Sequence, residues 1–294
     1  MVINVDSSSN NLELLETTSF DSFVTRNDLV LIFFKSSHEC PSCNKAMEYF
    51  HRIPQPELID KEIKKRYVID EEISLRLGIT EYPAIVYFRQ GYPALYNGKL
   101  SSVDEIPEFI EWLVPASQVA TQDLFDNSFE HLTQAASGAT TGDWFVFFYN
   151  SECTKCFEVF PSLESVAISL KHKMNFAKVD GEMNKNLVKR FKIKEFPYAI
   201  LFKQGKMYGY EPGKYDVNSM TAFIQTWYKN VKSSPVPREP TAFDILTETI
   251  AAYIKEQVES RNWLFFLGVG CGIVFLIVII IISLKRPDDR HKTD

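Results

Sequence analysis

The stretch from Trp144 to Cys156 reads Trp-Phe-Val-Phe-Phe-Tyr-Asn-Ser-Glu-Cys-Thr-Lys-Cys, an apolar run of strand length followed at once by two cysteines. Apolar residues then recur at the spacing of an amphipathic helix, at Phe157, Val159, Phe160, Leu163, Val166 and Leu170. The strand therefore delivers two thiols to the first turn of a helix. There the free backbone N–H groups and the helix dipole favour an anion such as a thiolate, which is the species that attacks disulfides.

The same arrangement occurs a second time, earlier in the chain. A buried-strand run again precedes a pair of cysteines, and similar segments follow both pairs in the same order. The matching segments are 29–34 with 144–149, 40–43 with 153–156, 82–91 with 196–205, and 98–99 with 213–214. An internal repeat that keeps its register over this length indicates a duplicated domain.

Each repeat resembles a thioredoxin domain, with a strand, a Cys-x-x-Cys pair on a helix, and a downstream proline that opens another strand. The two repeats followed by an apolar segment are similar to membrane-anchored, thioredoxin-related members of the protein disulfide isomerase family. Cys-Pro-Ser-Cys, at 40–43, is a motif known in that group, and the resemblance covers residues 17–229. It implies an α/β fold with two tandem thioredoxin-like domains, followed by a stalk helix and one transmembrane helix.

The resemblance also implies roles for the cysteines. Cys40 and Cys153 are expected to be the exposed, attacking thiols at the helix N-termini. Cys43 and Cys156 are expected to be more buried and to resolve the mixed disulfide. A zinc site is the alternative for paired cysteines, but zinc ribbons place their two pairs about 15–20 residues apart, whereas these pairs lie in separate repeats. We therefore expect thiol chemistry with no metal and no organic cofactor.

Four further residues are candidates at the two sites. In thioredoxin-like folds the downstream proline is cis and lies against the sulfurs, where its backbone pairs with substrate, and Pro83 and Pro197 match that position. The alternative is an ordinary proline at the start of a strand. His38 and Lys155 are candidates for stabilising a nearby thiolate by charge, or else are solvated side chains.

The sequence departs from the family pattern beside both pairs. Glu39 and Glu152 stand where the family usually has tryptophan, and a carboxylate there disfavours the thiolate. Phe34 and Phe147 stand six residues before the first cysteines, where the family carries a buried acid that aids proton transfer. The efficiency of dithiol chemistry is therefore an open question at the level of sequence.

Composition bounds the organisation of the chain. With 294 residues and 45% hydrophobic content, the chain is long enough for two cores, and a net charge of −6 argues against a nucleic-acid partner. The predicted divisions are domain 1 at 1–116, domain 2 at 117–232, a proline linker and juxtamembrane helix at 233–262, a transmembrane helix at 263–284, and a short basic tail at 285–294.

The segment 263–284 has no charged residue and predicts a single membrane-spanning helix. Basic residues crowd the tail at 285–292, which predicts a cytosolic C-terminus and lumenal domains. The start of the chain, 1–8, lacks the pattern of a signal peptide, so either a signal was removed or the protein is tail-anchored. Gly268 and Gly272 form a G-x-x-x-G motif that offers a homodimer contact, or else are glycines tolerated in lipid.

Taken together, the sequence predicts a membrane-anchored thiol–disulfide oxidoreductase, similar to a disulfide isomerase. It would act on protein thiols and disulfides in the lumen of the endoplasmic reticulum. Two alternatives remain open. One is a redox-weak chaperone or adaptor with structural disulfides, and the other is a tail-anchored reductase that faces the cytosol. Cysteine pairs that interconvert in cells favour an enzyme, whereas permanently oxidised pairs favour the adaptor.

Overall fold

Two β-sheets organise the first of two compact units, which are Met1–Arg238 and Glu239–Asp294. The computed structural model of the protein describes residues 12–138, 141–259 and 263–284. The predictions for the N-terminal residues 1–8 and for the basic tail 285–294 therefore fall outside the described residues.

The first sheet has five strands in the order β1-β3-β2-β4-β5. Its strands are β1 (Glu13–Leu14), β2 (Leu29–Phe34), β3 (Ile63–Val68), β4 (Ala84–Arg89) and β5 (Tyr92–Leu95). The helices around it are α1 (Thr17–Arg26), α2 (Pro41–Arg52), α3 (Glu71–Arg76) and α4 (Ile106–Ala116), the last preceded by a 3₁₀ turn at Val103–Glu105.

The second sheet repeats this order and adds a sixth strand, as β6-β8-β7-β9-β10-β11. Its strands are β6 (Thr121–Asp123), β7 (Trp144–Tyr149), β8 (Asn175–Asp180), β9 (Tyr198–Lys203), β10 (Lys206–Gly209) and β11 (Ser234–Pro235). Its helices are α5 (Phe129–Thr133), α6 (Thr154–Leu170), α7 (Lys185–Phe191) and α8 (Val217–Gln225), with a 3₁₀ turn at Trp227–Asn230.

The central strands β2 and β7 are apolar because helices cover both faces of each sheet. Every residue of β2 is buried, as is every residue of β7 except Tyr149. Each central strand pairs with one parallel and one antiparallel neighbour, β3 and β4 in the first sheet and β8 and β9 in the second. A strand covered on both faces has a nearly continuous apolar sequence, so the runs that predicted these strands do form them. The α/β thioredoxin-like fold is supported.

Three local features of the structure are not evident from the sequence alone. The segment leading into the second repeat forms the short strand β6 and the short helix α5. Arg66 lies in β3, although it follows two lysines that interrupt the apolar pattern of a strand. Within the predicted linker, β11 pairs with β10 and Val236 is buried, because β11 is an edge strand, where proline is tolerated, and Val236 is apolar.

The second compact unit contains α9 (Ala242–Glu259) and α10 (Trp263–Leu284). Thr241 and Asp244 hydrogen-bond one another at the start of α9: the Asp244 N–H donates to the Thr241 hydroxyl oxygen, and the Thr241 N–H and hydroxyl donate to the Asp244 carboxylate. These reciprocal hydrogen bonds cap the N-terminus of α9.

The predicted transmembrane helix at 263–284 needs correction. Among the residues that the structure describes, no helix is long and apolar enough to cross a bilayer. The predicted homodimer contact through Gly268 and Gly272 has no support either.

Candidate functional site

Both cysteine pairs form disulfides at the first turn of a helix. Cys40 and Cys43 are joined at the start of α2, with their Cα atoms 5.2 Å apart. Cys153 and Cys156 are joined at the start of α6, with their Cα atoms 5.3 Å apart. In each pair the second cysteine is fully buried and the first is half-buried. An incoming reactant therefore reaches the sulfur of Cys40 or Cys153.

The first cysteine of each pair is the N-cap residue of its helix. The Cys43 N–H donates to Cys40 Sγ over 3.2 Å, and the Cys156 N–H donates to Cys153 Sγ, also over 3.2 Å. In this disulfide state each Sγ occupies the place of a thiolate sulfur. The same N–H group and the positive end of the helix dipole are positioned to stabilise negative charge on that atom after reduction.

The two downstream prolines lie beside the cysteine loops. Both peptide bonds, Tyr82–Pro83 and Phe196–Pro197, are cis. β4 and β9 begin one residue after these prolines and run antiparallel to the strands that lead to the cysteines. The facing pairs are Phe34 with Ala84 in the first sheet and Phe148 with Tyr198 in the second. Sheet pairing therefore brings each proline next to the end of the strand that delivers the thiols.

Tyr215 distinguishes the second site and was not found from the sequence. Its hydroxyl donates to the Pro197 carbonyl oxygen over 3.0 Å, and its ring meets Phe147 edge-on at 5.7 Å between centroids. Burial raises the pKa of its phenol, so the hydroxyl keeps its proton. The matched position in the first repeat holds Leu100, which has no hydroxyl. This difference between the two repeats is the feature of the sequence that could have pointed to Tyr215.

The candidate charged neighbours of the thiols are both on the surface. His38 is 85% exposed, and its Nδ1 lies 3.7 Å from a Glu71 oxygen and 3.2 Å from the Ser37 hydroxyl. The His38 ring therefore has a carboxylate as its neighbour. Lys155 is exposed in the first turn of α6. A role for either residue in stabilising a thiolate stays a prediction.

Phe34 and Phe147, six residues before the first cysteines, are fully buried in the two central strands. Each fills its position in the core with an apolar ring, so neither side chain can transfer a proton. At the second site the aromatic surroundings extend outward. Tyr149, Phe157 and Phe160 contact one another edge-on, with centroids 5.2 to 6.4 Å apart. The second disulfide is therefore flanked by aromatic rings.

A buried ion pair joins the two repeats. Arg89 at the end of β4 donates to Glu164 in the middle of α6 over 2.5 Å, and both side chains are at most 5% exposed. Glu164 also accepts hydrogen bonds from the backbone N–H groups of Ala120 and Thr121 and from the Thr121 hydroxyl. The helix that carries the second cysteine pair is thus tied to the first sheet by charge.

Close backbone packing supports the same junction. Gly78, after α3, has φ +67° and lies so close to α6 that an added Cβ would sit 2.3 Å from the Glu158 carbonyl oxygen. β5 of the first sheet also packs along α6. Within the described part of the chain, no cluster of three or more histidine, cysteine, aspartate or glutamate side chains is arranged to hold a metal ion.

Comparison with known proteins bears on the second repeat most directly. Residues 120–226 match the thioredoxin family. The matched range contains β7, the Cys153–Cys156 pair and the Pro197 loop. The match covers less than half of the chain and does not include the first repeat, whose sheet order and cysteine helix are like those of the second.

Two relatives extend the comparison. A "Thioredoxin domain-containing protein" of Theileria parva is 41% identical over 135 residues, which are 46% of this chain and 61% of the relative. Protein disulfide-isomerase A5 of Bos taurus is 26% identical over 226 residues, which are 67% of this chain and 40% of the relative. The chain is thus related to thioredoxin-domain proteins and protein disulfide isomerases, and it spans less than two thirds of the length of each.

Among solved structures, ERdj5 in crystal form I is similar, with 18% sequence identity and a TM-score of 0.37. That comparison covers 75% of this chain and 30% of the other. A likeness at this level carries no information about activity.

Proposed function

We propose that this protein is a thiol–disulfide oxidoreductase that acts on protein thiols and disulfides. The observation that carries the proposal is the asymmetry within each cysteine pair. A half-buried sulfur at a helix N-terminus accepts a backbone N–H, and its partner sulfur is fully buried. Similarity to proteins named protein disulfide-isomerase supports the same reaction.

The reaction follows from that asymmetry. In the reducing direction, the thiolate of Cys40 or Cys153 attacks a substrate disulfide. A mixed disulfide forms, and the other substrate sulfur leaves as a thiolate that takes up a proton. The buried partner, Cys43 or Cys156, then loses its proton to solvent and attacks the mixed disulfide. The second substrate thiol is released, the cysteine pair is oxidised, and two electrons have passed to the substrate. Oxidation of substrate dithiols is the reverse.

The chain's own residues contribute position and charge to this reaction. The N–H of the second cysteine and the helix dipole stabilise the sulfur that attacks and later leaves. Burial of the second cysteine keeps it from competing for substrates, so it serves to release them. The proposal places the protein in the lumen of the endoplasmic reticulum, because proteins form and keep disulfides there, whereas disulfides are rare in cytosolic proteins.

Trapping of mixed disulfides tests this proposal. The Cys43→Ala and Cys156→Ala variants should accumulate reducible, high-mass adducts with other proteins, because the cysteine that resolves the mixed disulfide is gone while the attacking one remains. The Cys40→Ala and Cys153→Ala variants are the matched controls and should accumulate few adducts. The measurement is non-reducing electrophoresis after rapid alkylation of free thiols in cells.

The outcome separates the enzyme from the adaptor. Adducts in the first two variants that disappear on reduction support exchange. If all four variants stay free of adducts, while both pairs remain fully oxidised in the unmodified protein, the disulfides are structural. The chain would then be an adaptor that binds polypeptides without exchanging electrons with them.

A further inference from the structure

We propose that Tyr215 is a positioning residue that holds the Pro197 segment of the second site in place for binding an extended substrate polypeptide. This inference rests on the proposed oxidoreductase function and deepens it, because it assigns the binding of polypeptides mainly to the second repeat. Tyr215 lies beyond β10, far along the chain from the cysteines, and reaches the site only through the fold.

The hydroxyl of Tyr215 is positioned to bind the backbone of the Pro197 segment. β9 begins at Tyr198, so Phe196 and Pro197 lie just outside the strand ladder, half-buried and facing the end of β7. The Pro197 carbonyl is satisfied by the Tyr215 hydroxyl at 3.0 Å. A segment that lies outside the ladder is held by few other backbone bonds, and this bond therefore limits its movement.

The ring of Tyr215 is itself fixed by its neighbours. It packs edge-on against Phe147 and lies 5.0 Å from the ring of Tyr210, between centroids. Phe147 is fully buried in the central strand and belongs to the same apolar cluster as Cys156. The Tyr215 hydroxyl is therefore held in place by packed rings of the core.

The first repeat shows that the Tyr215 bond is specific to the second site. Tyr210 donates its hydroxyl to the Lys214 carbonyl, and the matched Tyr96 donates to the Lys99 carbonyl at 3.4 Å. That bond stabilises the same turn in both repeats. Only the second repeat adds a second tyrosine, where the first has the buried Leu100. Both repeats therefore share this turn, whereas the hydrogen bond that anchors the proline segment belongs to the second repeat.

An anchored segment has a defined effect on substrates. A polypeptide that reaches the Cys153 sulfur runs past Phe196 and Pro197, because sheet pairing places them beside the cysteine loop. If Tyr215 holds that segment ready for the polypeptide, loss of the hydroxyl weakens polypeptide binding. Glutathione is too small to depend on the segment, so its equilibrium with the Cys153–Cys156 pair should not change.

The experiment uses the full chain with Cys40→Ser and Cys43→Ser, so that only the second site exchanges disulfides. In that background Tyr215→Phe removes the hydroxyl and keeps the ring. Tyr210→Phe is the matched control, since it removes a buried hydroxyl from the adjacent ring that donates to the Lys214 carbonyl and not to Pro197. KM and kcat are measured for a fluorescent peptide disulfide with glutathione as reductant, and the equilibrium of the cysteine pair is measured with glutathione alone.

We expect Tyr215→Phe to raise KM for the peptide about two- to tenfold, the size of one net hydrogen bond, with kcat and the glutathione equilibrium unchanged. Tyr210→Phe should leave KM unchanged. Equal KM values for Tyr215→Phe and its parent overturn the assignment, as does an equal rise in Tyr210→Phe, which signals general loosening. A shifted glutathione equilibrium also overturns it. A parent that exchanges with neither glutathione nor peptide refutes the proposed function for the second site instead.

Discussion

Removal of Arg89 from the buried ion pair is the sharpest test of how the two repeats are joined. Arg89→Met replaces the guanidinium with an apolar side chain of similar length and leaves the Glu164 carboxylate without its cation at 5% exposure. Glu164 keeps the hydrogen bonds from Ala120 and Thr121. Those neutral donors do not balance a full negative charge in the interior.

The expected cost is large because the partner charge stays behind. Removing one member of a buried ion pair typically costs about 3–5 kcal/mol of unfolding free energy. Burial lowers the pKa of Arg89, and the Glu164 carboxylate opposes that change. The double variant Arg89→Met/Glu164→Gln should recover most of this loss. Its glutamine is neutral and keeps an oxygen that accepts from Thr121.

Lys61→Met is the matched surface control. Lys61 pairs with Asp28 over 3.0 Å, but the two side chains are 58% and 49% exposed, so its loss should cost no more than about 1 kcal/mol. Urea unfolding of the full chain, followed by fluorescence of its tryptophans, gives all four free energies. Trp112 lies in the first repeat and Trp144 in the second, so separate transitions would reveal uncoupled repeats. A loss for Arg89→Met within about 1 kcal/mol of that for Lys61→Met refutes the reasoning.

Two further predictions test packing and pH dependence. Gly78→Ala should lower the unfolding free energy by about 1–3 kcal/mol more than Gly213→Ala, because both glycines have positive φ but only the Cβ at Gly78 meets the backbone of α6; equal losses in urea unfolding would contradict the close approach. Burial lowers the pKa of Lys65 to about 8, whereas an unfolded lysine titrates near about 10.4. The unfolded chain therefore binds more protons between these pH values, and stability attributable to Lys65 should rise with pH across that window. The free energy of unfolding, measured below and above this window, should rise in the unmodified protein and not in Lys65→Met. Parallel profiles for the two proteins would exclude this effect of Lys65.

Local patterns in the sequence determined the central strands and the helix N-termini of this protein, because these features depend on residues that are close together along the chain. The apolar runs of β2 and β7 form central strands because a doubly covered strand needs an uninterrupted apolar sequence. The cysteines lie at helix N-termini because a strand precedes each pair and apolar residues at helical spacing follow it. The two repeats in register predicted two sheets of equivalent order. The apolar segment at 263–284 was also visible, but the membrane span predicted from it is not found among the described helices.

Contacts between distant segments were decided only by the tertiary structure. Arg89 and Glu164 are 75 residues apart, and each reads locally as an ordinary charge on a strand or helix. Tyr215 reaches the Pro197 carbonyl across 18 residues, through a turn whose geometry is not encoded in hydrophobic periodicity. β11 joins the second sheet from within a proline-rich stretch. Periodicity reports which face of an element is buried, but which partner buries it depends on how the chain folds back, and that is decided by packing between elements.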